Sequence, residues 1–175
     1  MNPPNAPITM SSPSSPAVTE NLKPAWPGLG IWLFICFCAP ALGFSAGPGP
    51  WFDQLHKPTW NPPGWLFGPV WTFLYLTMGV AAWLVWRRGG FGTQRGPLQL
   101  FLVQLALNAL WTPLFFGLHQ PGFAFVDIVF LWIALVATIF TFLRAHRPAG
   151  LLLLPYLVWV SFASFLNFTI WQLNR

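Results

Sequence analysis

Apolar positions in this chain fall in continuous runs rather than in alternation, and five of the runs are long. They extend approximately over Gly28 to Ala46, Leu66 to Trp86, Leu98 to Leu118, Phe123 to Leu143 and Gly150 to Leu173. A helix that crosses a bilayer needs about 20 mostly apolar residues, so each run qualifies on length. The other structure able to cross lipid, a closed β-barrel, would alternate apolar and polar positions. The stretch from Ile128 to Val136 is apolar at every position. The pattern therefore predicts an all-α integral membrane bundle of five transmembrane helices within residues 25–175. Residues 1–24 differ: they are rich in proline and serine (Pro3, Pro4, Pro7, Pro13, Pro16, Pro24) and have no apolar period. Such a composition buries too little surface to offset the entropy of ordering, and predicts a disordered tail.

Charge fits the same picture. Charged residues make up 6% of the chain, against about 25% in a typical soluble domain. Lys23, Arg87, Arg88, Arg95, Arg144 and Arg147 flank the runs on one side, and Lys57 and Arg175 on the other. Bases at span ends set orientation and place the N-terminus on the cytoplasmic side; they form no basic face for nucleic acid. His56, His119 and His146 lie in three different loops without the spacing of metal ligands, and no metal site is expected. Cys36 and Cys38 sit two residues apart in the first run, where side chains do not face each other, so no disulfide is expected.

Three prolines, Pro40, Pro113 and Pro155, fall inside the runs. Each lacks an amide donor and frees the carbonyl one turn earlier, at Cys36, Ala109 and Leu151. The resulting kinks can open gaps between helices. The connection from Gly47 to Trp65 is stiffened by Pro50, Pro58, Pro62 and Pro63 and carries Trp51, Trp60 and Trp65. It reads either as an aromatic belt at the headgroups or as a lid over the bundle mouth.

Polar groups inside the runs are the best functional clues, because lipid makes them costly. Gln104, Asn108, Trp111 and Phe115 share one helical face, and Tyr156, Trp159, Ala163 and Asn167 another; Trp71, Tyr75 and Met78 share a third. Together they predict an aromatic-walled pocket with a few amides, suited to a flat hydrophobic ligand. The competing reading is that the amides simply hold helices together. Asp127, the only acid within a run, either complements the start of its helix or serves as an acceptor in the pocket. No serine–histidine–aspartate set, carboxylate pair or glycine-rich phosphate loop is present, so no catalytic residue is assigned.

The same segments resemble the tryptophan-rich sensory protein family, also called the translocator protein or peripheral benzodiazepine receptor family. The resemblance covers the chain beyond its first two dozen residues. It is carried by Trp51-Phe52-x-x-Leu55-x-Lys57-Pro58-x-Trp60-x-Pro62-Pro63, by Gly68-Pro69-Val70-Trp71-x-x-Leu74-Tyr75-x-x-Met78-Gly79 and by Gln104-x-x-x-Asn108-x-x-Trp111-x-Pro113-x-x-Phe116. Asp127 and Pro155-Tyr156-x-x-Trp159-x-x-Phe162-Ala163-x-x-x-Asn167 complete it. The resemblance implies a five-helix bundle, often a homodimer, in the membrane of a bacterium. Its pocket beneath the first long loop would bind a porphyrin such as protoporphyrin IX, as a ligand rather than a cofactor. It would also take isoquinoline carboxamide and benzodiazepine-type molecules. Carried over by position, the ligand-binding residues are Trp51, Phe52, Trp71, Gln104, Asn108, Phe123, Asp127, Trp159, Ala163 and Asn167. Phe52 and Phe123 stand where the family often has Tyr and Trp, keeping an aromatic wall without the polar handle. The family's cholesterol motif is incomplete, with Phe168 at its tyrosine position and Arg175 too far on. Ala39, Gly43 and Gly47 offer small-residue spacing for a second copy. The leading expectation is a porphyrin-binding sensor or carrier. The alternatives are light-dependent porphyrin degradation through Trp71 or Trp159, and transport of small lipophiles with the loop as gate.

Overall fold

The computed structural model describes residues 25–43 and 47–175, which are helical with no strand among them. The expected disordered tail, Lys23 and the end of the first apolar run lie outside the described residues. The principal helices are α1 (Ala25–Cys38), α3 (Phe67–Trp86), α5 (Arg95–Thr112), α6 (Pro121–Ala145) and α8 (Leu154–Leu173). Short helices α2 (Pro50–Gln54), α4 (Gly90–Thr93) and α7 (Arg147–Leu152) lie between them. Among the described residues, four helical stretches are long and apolar enough to cross a membrane: Gly64–Trp86, Arg95–Gly117, Pro121–Ala145 and Arg147–Leu173. The first apolar run gives a shorter apolar helix, Trp26–Ala41.

Each internal proline coincides with a departure from α-helical geometry. After Cys38 the chain tightens into a 3₁₀ turn, Ala39–Gly43, around Pro40. After Thr112 it widens into a π turn, Pro113–Gly117, and the Leu118 N–H donates to the Pro113 carbonyl at 2.8 Å. The fifth run is two helices rather than one. Pro155 cannot donate to Leu151, α7 stops at Leu152, and the Leu153 N–H turns back to the Gly150 carbonyl at 3.2 Å. The two long connections also hold structure that the apolar pattern does not show, α2 in the first and α4 in the second.

The outer surface is apolar. Phe34, Phe73, Phe123, Phe130, Phe140, Val158 and Phe165 are all more than half exposed, a surface that water would not tolerate and acyl chains would. Inside, small residues let the helices approach, as expected where lipid provides no hydrophobic drive between them. Ala81, Ala82, Ala124 and Ala149 are fully buried. Ala39, one of the small residues expected to pair with a second copy, is 6% exposed and belongs to the chain's own core. Trp32 meets Phe101 edge-on at 5.8 Å, and Phe101 stacks on Phe142 at 5.8 Å, tying α1, α5 and α6 together.

A close approach to backbone is made at the α6–α7 corner. A Cβ on Gly150 would lie 2.5 Å from Leu143 Cγ and 2.8 Å from its backbone nitrogen. A rotamer change relieves the first overlap but not the second. Gly150→Ala is therefore expected to cost about 1–3 kcal/mol through overpacking. The check is a lowered thermal midpoint in detergent; an unchanged midpoint would show that the corner relaxes freely.

Chain direction alternates between successive long helices. Arg87, Arg88, Arg95, Arg144 and Arg147 thus gather at one end of the bundle, and the Gly47–Trp65 connection and Arg175 at the other.

Candidate functional site

At the end opposite the arginines the kinked helices leave a cavity of about 360 Å³. Pro40, α3 (Phe67, Trp71, Tyr75), α5 (Asn108, Trp111, Thr112), α6 (Ile128, Leu131) and α8 (Trp159, Val160, Ala163) wall it, and the connection covers it with Phe52, Asn61 and Pro62. Gly64 and Gly68 open the α3 side: a Cβ at either would meet nothing within 4 Å. The volume lies within the range of small-molecule sites, about 300–1,000 Å³, and the lining is largely aromatic.

The polar floor is centred on Asn108. Its Oδ1 accepts from the Tyr75 hydroxyl at 2.8 Å, and its Nδ2 donates to the Tyr156 hydroxyl at 2.9 Å. The chain has only two tyrosines, and both hydroxyls meet this one amide. Tyr75 is 6% exposed, Tyr156 0% and Asn108 5%. The network joins α3, α5 and α8 just below the cavity. Trp71 completes the corner, stacked on Tyr75 at 5.4 Å and edge-on to Tyr156 at 6.2 Å.

The connection is held down at several points. Trp51 stacks on His119 at 4.3 Å and meets Phe115 edge-on at 5.9 Å. His119 has φ +54°, which turns the chain between α5 and α6 beneath that ring. Phe52 meets Phe116 at 5.3 Å, with the Lys57 ammonium 4.5 Å above its ring. The Asn174 side chain pairs with the His56 backbone in both directions, accepting from its N–H and donating to its carbonyl at 2.9 Å each.

Of the ten residues expected at the site, Phe52, Trp71, Asn108, Trp159 and Ala163 line this cavity. Trp51 lies outside the lining, in the stack that anchors the connection. Gln104 is fully buried one turn from Asn108, and neither atom of its amide has a partner among the described residues. Asp127 is 6% exposed beside Ile128, and its Oδ2 has no partner among the described residues. Asn167 joins helices: its Oδ1 accepts from Trp111 Nε1 and its Nδ2 donates to the Pro121 carbonyl, both at 2.9 Å. Phe123 is 66% exposed and lies outside the lining of the cavity.

Sequence reasoning did not assign Phe67, Asn61 or Phe116 to the site, nor Tyr75 and Tyr156 as partners of Asn108. The tyrosines were within reach, since every polar group inside a span needs a partner. So was Phe67, which stands one turn before Trp71 on the same face of α3; Asn61 was not, because its place follows from how the connection folds over the mouth.

Chemically, the site can stack a flat apolar molecule and orient it through a few hydrogen bonds. Among the described residues, no Asp, Glu, Lys, Arg, His or Cys lines it.

Comparison with known proteins agrees with this architecture. The TspO/MBR family profile matches residues 30–172. Tryptophan-rich protein TspO of Chlorobaculum tepidum is 47% identical over 151 residues, covering 83% of this chain and 92% of that protein. Protein CrtK of Rhodobacter capsulatus is 39% identical over 82% of this chain and 91% of its own length. The human translocator protein is 40% identical over 88% of this chain and 94% of its own. With its four long apolar helices and these relatives, the chain is a multi-pass membrane protein and belongs to the TspO/MBR family.

Proposed function

We propose that this chain is a membrane sensor or carrier that binds a protoporphyrin IX-type tetrapyrrole in the cavity beneath the Gly47–Trp65 connection. The observation that carries the reading is the cavity's make-up: aromatic rings on three helices, a short side chain at Ala163, and a polar floor centred on Asn108 and its two tyrosine partners, with Thr112 and Asn61 the other polar side chains of the wall. A flat macrocycle gains from stacking on such walls. Isoquinoline carboxamide and benzodiazepine-type molecules share the flatness and would compete for the same space. Trp51 and Phe52 hold the cover in place; Gln104, Asp127 and Asn167 support the walls from behind.

In the same reading the short helix Trp26–Ala41 acts as a fifth span, extended by the turn around Pro40. The protein then forms a homodimer in a bacterial membrane. The relatives named translocator protein, and the 38%-identical tryptophan-rich sensory protein of Cereibacter sphaeroides, fit a carrier or sensor role.

One observation favours a second reading. Trp71 and Trp159 both line the cavity, where an excited porphyrin would find oxidisable indoles. A single titration separates the two. Protoporphyrin IX is added to the purified protein in detergent, and tryptophan quenching and porphyrin absorbance are followed in the dark and then under light. Saturable quenching with stable bands is expected. Protein-dependent bleaching would transfer the reading to degradation, and absence of saturable quenching would overturn the porphyrin assignment.

A further inference from the structure

At the end of the bundle away from the cavity, the corner between α6 and α7 presents two exposed arginines. Arg144 lies in the last turn of α6 and Arg147 opens α7. Bases at span ends orient the chain, but orientation asks only for charge and not for a pose. The corner gives both residues a defined setting. The His146 N–H closes α6 on the Phe142 carbonyl at 2.7 Å, and the Ala149 N–H turns back to the His146 carbonyl at 2.9 Å. Ala149 and Gly150 are buried, Gly150 is tight against Leu143, and α7 packs on both α6 and α3.

Two packed arms thus leave the corner, each with an arginine at its top. On both arms the next turn toward the bilayer carries an apolar side chain that is more than half exposed. Phe140 stands four residues before Arg144, and Leu151 four residues after Arg147, the spacing of one helical face. The Arg144 side chain folds down rather than reaching for water: its guanidinium lies 4.1 Å from the centre of the Phe140 ring. A base that snorkels would point the other way. Nothing among the described residues neutralises the pair. The acids described, Asp53 and Asp127, belong to the cavity half of the bundle. No hydrogen bond or ion pair to another described residue engages either guanidinium. Arg95, the first residue of the packed neighbour α5, adds positive charge at the same end.

Positive charge directly above exposed apolar surface, repeated on two arms, is the complement of a lipid whose phosphate carries net negative charge above its acyl chains. Guanidinium suits that phosphate better than ammonium does, because its planar fork makes two parallel hydrogen bonds and its face can rest on a ring. We propose that the α6–α7 corner binds one anionic glycerophospholipid. Arg144 and Arg147 take its headgroup phosphate, and its acyl chains lie along Phe140 and Leu151. Basic pockets at span ends bind anionic headgroups in this way. The site is separate from the cavity and does not depend on what the cavity holds.

The test uses the full chain, stripped of lipid in detergent, with bound lipid counted by native mass spectrometry. Phosphatidylglycerol and phosphatidylcholine with identical acyl chains are titrated separately. The first phosphatidylglycerol is expected to bind about tenfold more tightly than the first phosphatidylcholine, the scale of two bases at a headgroup. Replacing both arginines, Arg144→Gln with Arg147→Gln, should reduce that preference to less than about twofold, with helicity and thermal midpoint confirming the fold. Arg175→Gln removes a base stacked on Trp171 at the opposite end and should leave the preference unchanged. Phe140→Ala should weaken both lipids while keeping the preference, because it removes acyl contact and no charge. Equal binding of the two lipids by wild type, or a preference that survives the double variant, would overturn the proposal. So would an equal loss in Arg175→Gln, or release of the lipid by excess inorganic phosphate, which would make the corner a site for free anions.

Discussion

Replacing Ala163 by Phe is expected to weaken protoporphyrin IX binding at least a hundredfold, the largest effect of any single change in the cavity. Ala163 lies on α8 one turn beyond Trp159, and its methyl group forms part of the wall. The space is about 360 Å³ in all. A phenyl ring added there would take up volume that a macrocycle needs, and close-packed walls yield little. A hundredfold loss corresponds to about 2.7 kcal/mol, well within what one misplaced ring inflicts on a fitted ligand. The fold should tolerate the change, since the ring enters open space rather than a filled core. The measurement is the porphyrin titration by tryptophan quenching, with helicity and thermal midpoint as controls.

Phe123→Ala supplies the contrast. Resemblance alone would place Phe123 in the ligand site, whereas its ring is 66% exposed on the lipid side of α6. Its removal should change porphyrin affinity by less than about twofold, as expected of a residue outside the contact. If Phe123→Ala weakens binding as much as Ala163→Phe does, the ligand does not sit in this cavity.

The apolar runs were legible because lipid imposes a simple demand: a long unbroken stretch of side chains it can accept. The prolines were legible for a similar reason, and all three mark a change of helix geometry. Their consequences were less so. Nothing in the residues near Pro155 says whether the chain will bend or will break into α7 and α8. In the structure it breaks, with the Leu153 N–H turned back to the Gly150 carbonyl. Face arithmetic placed Asn108, Trp159 and Ala163 toward a common interior, and the structure shows them around one cavity. The same arithmetic could not separate Asn167 from Asn108. Both are buried amides at mid-helix, yet one spans α5, α6 and α8 through Trp111 and the Pro121 carbonyl, and the other floors the cavity. Which amide faces ligand space depends on helix rotation to within a few tens of degrees. Asn61 and the pairing of Asn174 with His56 depend on loop closure over 118 residues of sequence separation, which no local pattern reports.

Asn108→Leu should be the most destabilising polar-to-apolar change in the bundle. The substitution fits in size but leaves the Tyr75 hydroxyl without its acceptor and the Tyr156 hydroxyl without its donor, both out of reach of solvent. Each buried group so orphaned costs about 1–3 kcal/mol, so a loss of about 2–6 kcal/mol is expected. A polar contact that merely glues membrane helices averages about 0.6 kcal/mol, because the unfolded chain in lipid finds other partners. The two magnitudes distinguish a shared hub from an ordinary tether. The decisive comparison adds Tyr75→Phe and Tyr156→Phe to Asn108→Leu. Removing every partner of the network leaves nothing unsatisfied, so the triple variant should recover most of the thermal midpoint lost by the single one. If the triple variant melts lower still, the tyrosine hydroxyls have further partners, and Asn108 is not the hub that joins α3, α5 and α8.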